Sequence, residues 1–487
     1  MNIQTSRCDG VYPGNSCYIW FPKGGIESIS GPKLPDGWSW VEPALYAKGS
    51  KWHWQFGWKI NVPKNINPGD YKITFTNGAE CANVKVLPKF ARASIKVPPT
   101  ANDTVIRQHI ESGKIVELLP GIYEFDSPLS IPDGGVIKSA GAVLIRKLGA
   151  RVEKNHLFAP QGEFTLEGCT ITHSPEIGKN DILYIHKWPR DGKHKVTVRN
   201  NTIIGGHLGK STELNMIVEN NTFIGAGTGY IANGSVIIGN RFVGPNERAI
   251  HPLFIAGTNH ALVCSNVWEN TSRGIVMQSR DLSNTVVMDS YFHGIHAGEP
   301  NAGEYILMES GVDGSVPPTG ENGIHDNLFV DMWMLNCAGP AISLYGSGMH
   351  HNIFQNVKIE VDATSIAIQA LNGGIISENE FHNVQATGCL LLTGNVGKEL
   401  FNQIHFIEQT QRIGNGDYRL SAQKARVERF PIYMDNVALA GAANIRMVNS
   451  SYSSPRGLEL INSIHFKPKS YNLLLSTIAE VIDNYIN

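Results

Sequence analysis

One short motif, repeated eight times between Asn200 and Phe381, limits what this chain can become. The copies are Asn201-Thr-Ile203, Asn221-Thr-Phe223, Asn240-Arg-Phe242, Asn266-Val-Trp268, Ser290-Tyr-Phe292, Asn327-Leu-Phe329, Asn352-Ile-Phe354 and Asn379-Glu-Phe381. Their first residues are separated by 20, 19, 26, 24, 37, 25 and 27 positions. Three residues ahead of each anchor stands an apolar one: Val198, Val218, Ile237, Val263, Val287, Ile324, Met349 and Ile376. A pattern recurring at such a period marks a solenoid, and these units read as strands and turns. One turn of the coil cannot bury its inner face alone, so turns stack and like residues fall on like. The expected consequence is a ladder of asparagine amides bonding coil to coil, beside an inward ladder of aromatic rings.

A second strand family sets the phase of the outer surface. It reads Leu183-Tyr-Ile185-His186, Leu253-Phe-Ile255-Ala256, Ile275-Val-Met277-Gln278, Ile306-Leu-Met308-Glu309, Ile342-Ser-Leu344-Tyr345, Ile366-Ala-Ile368-Gln369 and Leu390-Leu-Leu392-Thr393. First and third positions are apolar and face the core; the fourth then faces out, because side chains alternate along a strand. The predicted outward column is His186, Ala256, Gln278, Glu309, Tyr345, Gln369 and Thr393, with Ala232 from the unit between Asn221 and Asn240. Together these features predict an all-β chain: a right-handed parallel β-helix preceded by a small N-terminal β-sandwich.

The 487 residues suffice for two or three domains. The expected division is a sandwich over 1–90, a linker over 91–98, the β-helix over 99–466 and a capping segment over 467–487. Six of nine tryptophans lie in the first division. There Trp52-His-Trp54-Gln-Phe56-Gly-Trp58 alternates as a half-buried strand, and Tyr71 to Phe75 and Ala82 to Leu87 continue the pattern. Its aromatic face is either sandwich core or a platform for sugar rings. Asp103 can cap a short helix ending before Gly113, which would cover the first open coil. Leu119-Pro-Gly-Ile-Tyr123 opens the coils. Leu474, Ile478, Val481, Ile482 and Tyr485 have helical spacing suited to covering the far end.

Charge is balanced, 41 basic residues against 43 acidic, which argues against a nucleic-acid binder relying on a general positive field. No apolar run is long enough to span a membrane, so no membrane insertion is expected. The first residues hold no apolar stretch fit for a signal peptide. The expected location is extracellular or virion-associated, reached with a leader lying outside this sequence or by another route of release. Of the seven cysteines, Cys264 and Cys389 read as buried thiols, while Cys8, Cys17 and Cys81 leave one N-terminal disulfide open. No Cys/His spacing fits zinc.

The ladder, the Leu119-Pro-Gly-Ile-Tyr123 opening and the capping helix resemble the pectate-lyase-like superfamily of polysaccharide-active proteins, which includes bacteriophage tailspikes. The resemblance covers roughly residues 99–466. It implies a long carbohydrate laid along outward side chains of one sheet and, for tailspike-like members, homotrimers. The superfamily holds hydrolases, lyases, epimerases and transglycosylases, so it does not choose the reaction.

Spacing singles out one coil. From Gln278, Tyr345 and Gln369 to the next anchor takes 12, 7 and 10 residues, but from Glu309 it takes 18. Ser310 to Asn322 is therefore an inserted loop, and Ile295 to Gly303 enlarges the opposite side; long loops on a rigid scaffold tend to carry function. Glu309 is the one carboxylate in the outward column, with Gln278 and Tyr345 about 4.8 Å to either side. Glycoside hydrolysis uses one protonated and one ionised carboxyl group. Glu309 is the first choice for one of them, and Asp313, then Asp281 and Glu304, for its partner. Gln278, Arg280, Tyr345, Gln369, His186 and Trp188 are the expected substrate contacts. The bland alternative is a hydrated glutamate beside a variable loop.

Other chemistries stay open. Asp289, Asp326, His351 and Glu378, the expected outward residues one position before successive anchors, with His325 and His350 nearby, form either an acid pair, a Ca²⁺ site or an ordinary polar turn face. No other cofactor is expected. Elimination at a uronate would draw on Arg280 with Tyr345 or His293. A glycan-binding adhesin would use the same groove without chemistry. Gly205-Gly-His-Leu-Gly209-Lys210-Ser211 resembles a phosphate loop, but its first glycine is one residue too close and it falls at a coil corner.

Overall fold

A computed structural model describes residues 3–406 with interruptions, together with strands 417–421 and 444–448. Outside the described residues lie 22–31, 42–56, 76–80, 89–92, 148–155, 178–182, 187–194, 211–214, 245–251, 257–259, 279–281, 295–302, 311–322, 361–365, 372–375, 393–399, a few single positions, and the rest of the chain beyond 406. The chain forms two compact units, one of residues 1–268 with 285–289 and one of residues 269–284 with 290–487. Both contain stacks of short parallel strands, the architecture of a parallel β-helix.

In the first unit, each coil repeats strand, left-handed corner, strand. Lys195–Arg199, Asn215–Glu219, Ser235–Ile238 and Ala261–Cys264 pair in parallel, keeping Val198, Val218, Ile237 and Val263 in one fully buried row. The anchors follow one corner later. Asn201 Nδ2 donates to Asn221 Oδ1 at 3.1 Å, Asn221 to Asn240 at 3.0 Å, and Asn240 to Asn266 at 3.0 Å. Each side-chain oxygen also accepts the backbone N–H of the preceding anchor. Buried amides are costly unless satisfied, and here the stack itself satisfies them. Beside it, Phe223 stacks on Phe242 at 4.7 Å and Phe242 on Trp268 at 5.2 Å. The predicted ladders are present in the second unit as well: Asn327 to Asn352 at 2.9 Å, Asn352 to Asn379 at 2.8 Å, and Phe329 stacked on Phe354 at 4.5 Å.

The residue before each of the first seven anchors takes a left-handed backbone: Asn200, Asn220, Gly239, Ser265 and Asp289 in the first unit, Asp326 and His351 in the second, with φ between 46° and 65°. Asn, Asp and Gly tolerate this region best, which accounts for the polar column seen there in the sequence.

Two antiparallel sheets form the N-terminal sandwich. One orders Gln4–Ser6, Ser16–Trp20, Gly57–Asn61 and Ser39–Val41; the other orders Pro32–Lys33, Gly69–Phe75 and Cys81–Val86. Phe21, Trp58 and Phe75 meet between them with centroids 5.2–5.7 Å apart. Trp58 is thus sandwich core and not a platform; Trp52 and Trp54 lie outside the described residues. Strand Ser16–Trp20 is buried on both faces. Cys17 and Ile19 enter the sandwich core, whereas Tyr18 reaches Glu219 and Trp20 reaches His260 on the coils. The possible N-terminal disulfide is absent: Cys8, Cys17 and Cys81 are free thiols. Cys8 and Cys17 are buried while Cys81 is exposed.

Helix Asp103–Glu111 buries Ile106 and Ile110 against the first coils. Within the stretch read as a linker, Ser94–Val97 is a strand parallel to Ile115–Leu118. Gly205 and Gly206 make a left-handed corner before strand His207–Lys210, so no helix follows them to cradle a phosphate. No described helix is long and apolar enough to cross a membrane. The helical pattern over 474–485 lies outside the described residues.

Candidate functional site

The outward column of the second unit is built by strands Ile275–Gln278, Ile306–Ser310 and Ile342–Gly346. Their parallel register aligns Gln278 with Glu309 and Glu309 with Tyr345. Ile275, Met277, Ile306, Met308, Ile342 and Leu344 are buried on the inner side, and all three column residues are partly exposed. The row immediately before them, Val276, Leu307 and Ser343, shares their outward parity yet is also buried. Glu309 therefore stands at the border between a covered strip and an open one.

That border sets its chemistry. Gln278 Nε2 donates to Glu309 Oε2 at 3.4 Å. Burial pushes the Glu309 carboxyl above the ordinary carboxylate range; Arg273 opposes this and Glu304 adds to it. Those two charges offset each other, because Arg273 Nε lies 3.3 Å from Glu304 Oε2 in a largely buried ion pair. Desolvation is left as the deciding influence. The pair is held at a tight corner: Gly274 N–H donates to Glu304 O at 3.0 Å, and a Cβ at Gly274 would fall 2.2 Å from Tyr305 O. A carboxyl whose protonated form is favoured by burial, partly open and flanked by an amide and a phenol, suits proton donation to a leaving oxygen.

Of the proposed partner carboxylates, Glu304 is engaged by Arg273, and Asp281 and Asp313 lie outside the described residues, as do Arg280, Trp188 and both enlarging loops. Two substrate contacts sit at a different level from the one expected. The register pairs Gln369 with Ser343 and Leu371 with Tyr345. His186 follows the Ile185–Gly209 pair, and Lys210 pairs with Tyr230 and Tyr230 with Phe254. His186 is thereby level with Phe254, two residues before Ala256. Both slips have one cause: an alternating pattern fixes the face and is blind to a shift of two. Arg273 escaped the sequence reading. The signal was available, since the 31-residue offset joining Gln278 to Glu309 also joins Arg273 to Glu304.

The second cluster divides. Asp289, expected outward, is 2 % exposed and accepts from Ser265 Oγ at 2.7 Å; its left-handed corner turns the side chain onto the neighbouring coil. In the other unit, Asp326 Oδ2 lies 2.8 Å from His325 Nδ1, and the His325 and His350 rings stack at 4.9 Å. Glu378 is outside the described residues. Among the described residues no three His, Cys, Asp or Glu side chains converge to hold a metal ion.

No family model matches the sequence, and no curated protein matches it. Among solved structures, similarity is found to the catalytic domain of a GH87 α-1,3-glucanase in complex with nigerose, at 12% identity over 84% of this chain and 86% of that one, TM-score 0.31. The Agl-KA catalytic domain matches at 11% identity over 77% and 88%, TM-score 0.28. A family 28 exopolygalacturonase of Yersinia enterocolitica matches at 10% identity over 80% and 95%, TM-score 0.28. The fold of the present chain rests on its own registers and ladders.

Proposed function

We propose that the protein cleaves glycosidic bonds of a polysaccharide laid along the Gln278–Glu309–Tyr345 column, with Glu309 as general acid. What supports the reading is the raised carboxyl of Glu309 at the edge of a covered strip, in register with a hydrogen-bonding amide and an aromatic ring. Gln278 orients the carboxyl and Tyr345 offers a ring face to a sugar. The second carboxylate is drawn from Asp313 or Asp281; Glu304 instead joins Arg273 in a supporting ion pair. A separation of about 5 Å between the two acids gives retention and about 6.5–9.5 Å gives inversion. Extracellular or virion-borne action and a homotrimer belong to the same proposal.

The test is incubation with neutral and uronate-containing polysaccharides, read by new reducing ends and chain length. Native protein shortens at least one polymer, and Glu309→Gln lowers the rate by about 100-fold or more. Full activity in Glu309→Gln removes the assignment. Products carrying a double bond indicate elimination, and glycan retention with no shortening by native protein indicates a binder.

A further inference from the structure

Within the first unit, the N-terminal sandwich and the coil face line an open cleft. Its floor is a register row, Thr165 beside Thr197 beside Ile217, with Arg199 and Glu219 paired one step along. Arg7, Tyr12 and Tyr18 of the sandwich line the other side, and Glu163 completes the lining.

Arg7 is the unusual member. Its backbone is left-handed, φ 65°, and its side chain is 6 % exposed. Nη2 donates to Val196 O at 3.1 Å and Asn215 O at 3.4 Å, while Nη1 is buried with no partner among the described residues. Across the floor, Arg199 Nη2 donates to Glu167 at 2.9 Å, and its buried Nε has no partner among the described residues. Two guanidinium groups of one cleft thus carry N–H groups with no acceptor among the described residues. Such donors are costly in a folded protein and point to a missing acceptor.

Charge narrows the acceptor. Arg7 and Arg199 are balanced by Glu163 and Glu219, and Glu219 is already bonded to Lys59. An anion would meet two carboxylates and a cation two guanidinium groups. A neutral polyol suits both, because each hydroxyl donates to a carboxylate or threonine oxygen while accepting from a guanidinium. We propose that this cleft binds one residue of a neutral saccharide, with Arg7 and Arg199 donating and Glu163, Thr165 and Thr197 accepting. The site is separate from Glu309 and does not depend on its role.

The experiment titrates the full chain with maltotriose, cellotriose and chitotriose, with trigalacturonate and inorganic phosphate as charged probes, by saturation-transfer NMR and calorimetry. At least one neutral trisaccharide saturates, with a Kd on the order of millimolar. Thr165→Val with Thr197→Val weakens it about tenfold, the size of one or two lost hydrogen bonds, and Arg7→Lys weakens it as well. The threonine variant changes partly exposed side chains of similar shape and keeps its native melting transition even where Arg7→Lys does not fold. The threonine variant keeps the parent's rate of polysaccharide shortening, so failure here is distinguishable from failure at Glu309. Absence of saturation by all three neutral sugars, unchanged binding in the threonine variant, or threonine-dependent binding of the charged probes alone overturns the proposal.

Discussion

Gln278 and Glu309 are register partners on adjacent parallel strands, and the amide of the first donates to the carboxyl of the second at 3.4 Å. The contact places a neutral hydrogen-bonding group beside an acid whose protonated form is favoured by burial. The same burial makes a prediction about folding. A carboxyl raised above its unfolded value near 4.5 contributes its stabilising preference below that pH and loses it as pH rises through the folded value. Glu309→Gln, which stays neutral, is therefore expected to be more stable than the parent at pH 7.5 and equal to it below about pH 4.5. Denaturant midpoints measured at both ends check this; a variant less stable than the parent at pH 7.5 contradicts it.

Arg273 gives a second, kinetic expectation. It is the main influence holding Glu309 down. In Arg273→Gln the remaining influences, burial and Glu304, both push upward. If Glu309 works as an acid, activity is lost as pH rises through its raised value, so the alkaline limb of kcat/KM moves to higher pH in the variant. Removing one partner of a largely buried pair also destabilises, by about 3 kcal/mol, and the Arg273→Leu/Glu304→Leu double variant recovers most of that. A pH–rate profile with an unmoved limb separates Arg273 from the acid.

The ladder provides a test of the fold itself. Asn240 is 1 % exposed, accepts from the backbone and side chain of Asn221, and donates to Asn266 and Val218 O. Asn240→Ala leaves those groups unpaired in a site closed to water, and is expected to cost about 2–4 kcal/mol. Asn240→Asp is expected to cost at least as much, because a carboxylate lacks the donors that serve Val218 O and Asn266. Urea midpoints for both variants measure this.

How much of this was legible follows from what each residue type can encode. The anchors announced themselves because an asparagine buried at fixed intervals has one economical use, a ladder. Apolar alternation gave the inner and outer faces of Ile306 to Glu309 correctly. It left His186 and Gln369 two residues from their expected levels, since period two carries no absolute register. Strand Ser94–Val97 hid among prolines because only its pairing with Ile115–Leu118 makes it a strand. The double burial of Ser16–Trp20 was also out of reach: it arises from the sandwich seating on coils some two hundred residues away. Arg273 was missed because its meaning lies in Glu304, one coil distant.

The corner residues allow a final discrimination between scaffold and chemistry. Asp326 has φ 53° and touches His325 at 2.8 Å. As a catalytic acid it would be intolerant of every substitution. As a corner residue its main task is to occupy left-handed backbone, which costs an ordinary L-residue about 1–2 kcal/mol and glycine almost nothing. Asp326→Ala and Asp326→Gly lose the same histidine contact, so their difference isolates the backbone. The alanine variant is expected to be less stable than the glycine variant by about 1 kcal/mol. Asp326→Asn stays nearest the parent, and all three retain the polysaccharide cleavage proposed for the parent. Equal stability of the alanine and glycine forms would deny the corner its role, and a collapse of activity in Asp326→Asn would move the search for the second carboxyl group away from Asp313 and Asp281 to this turn.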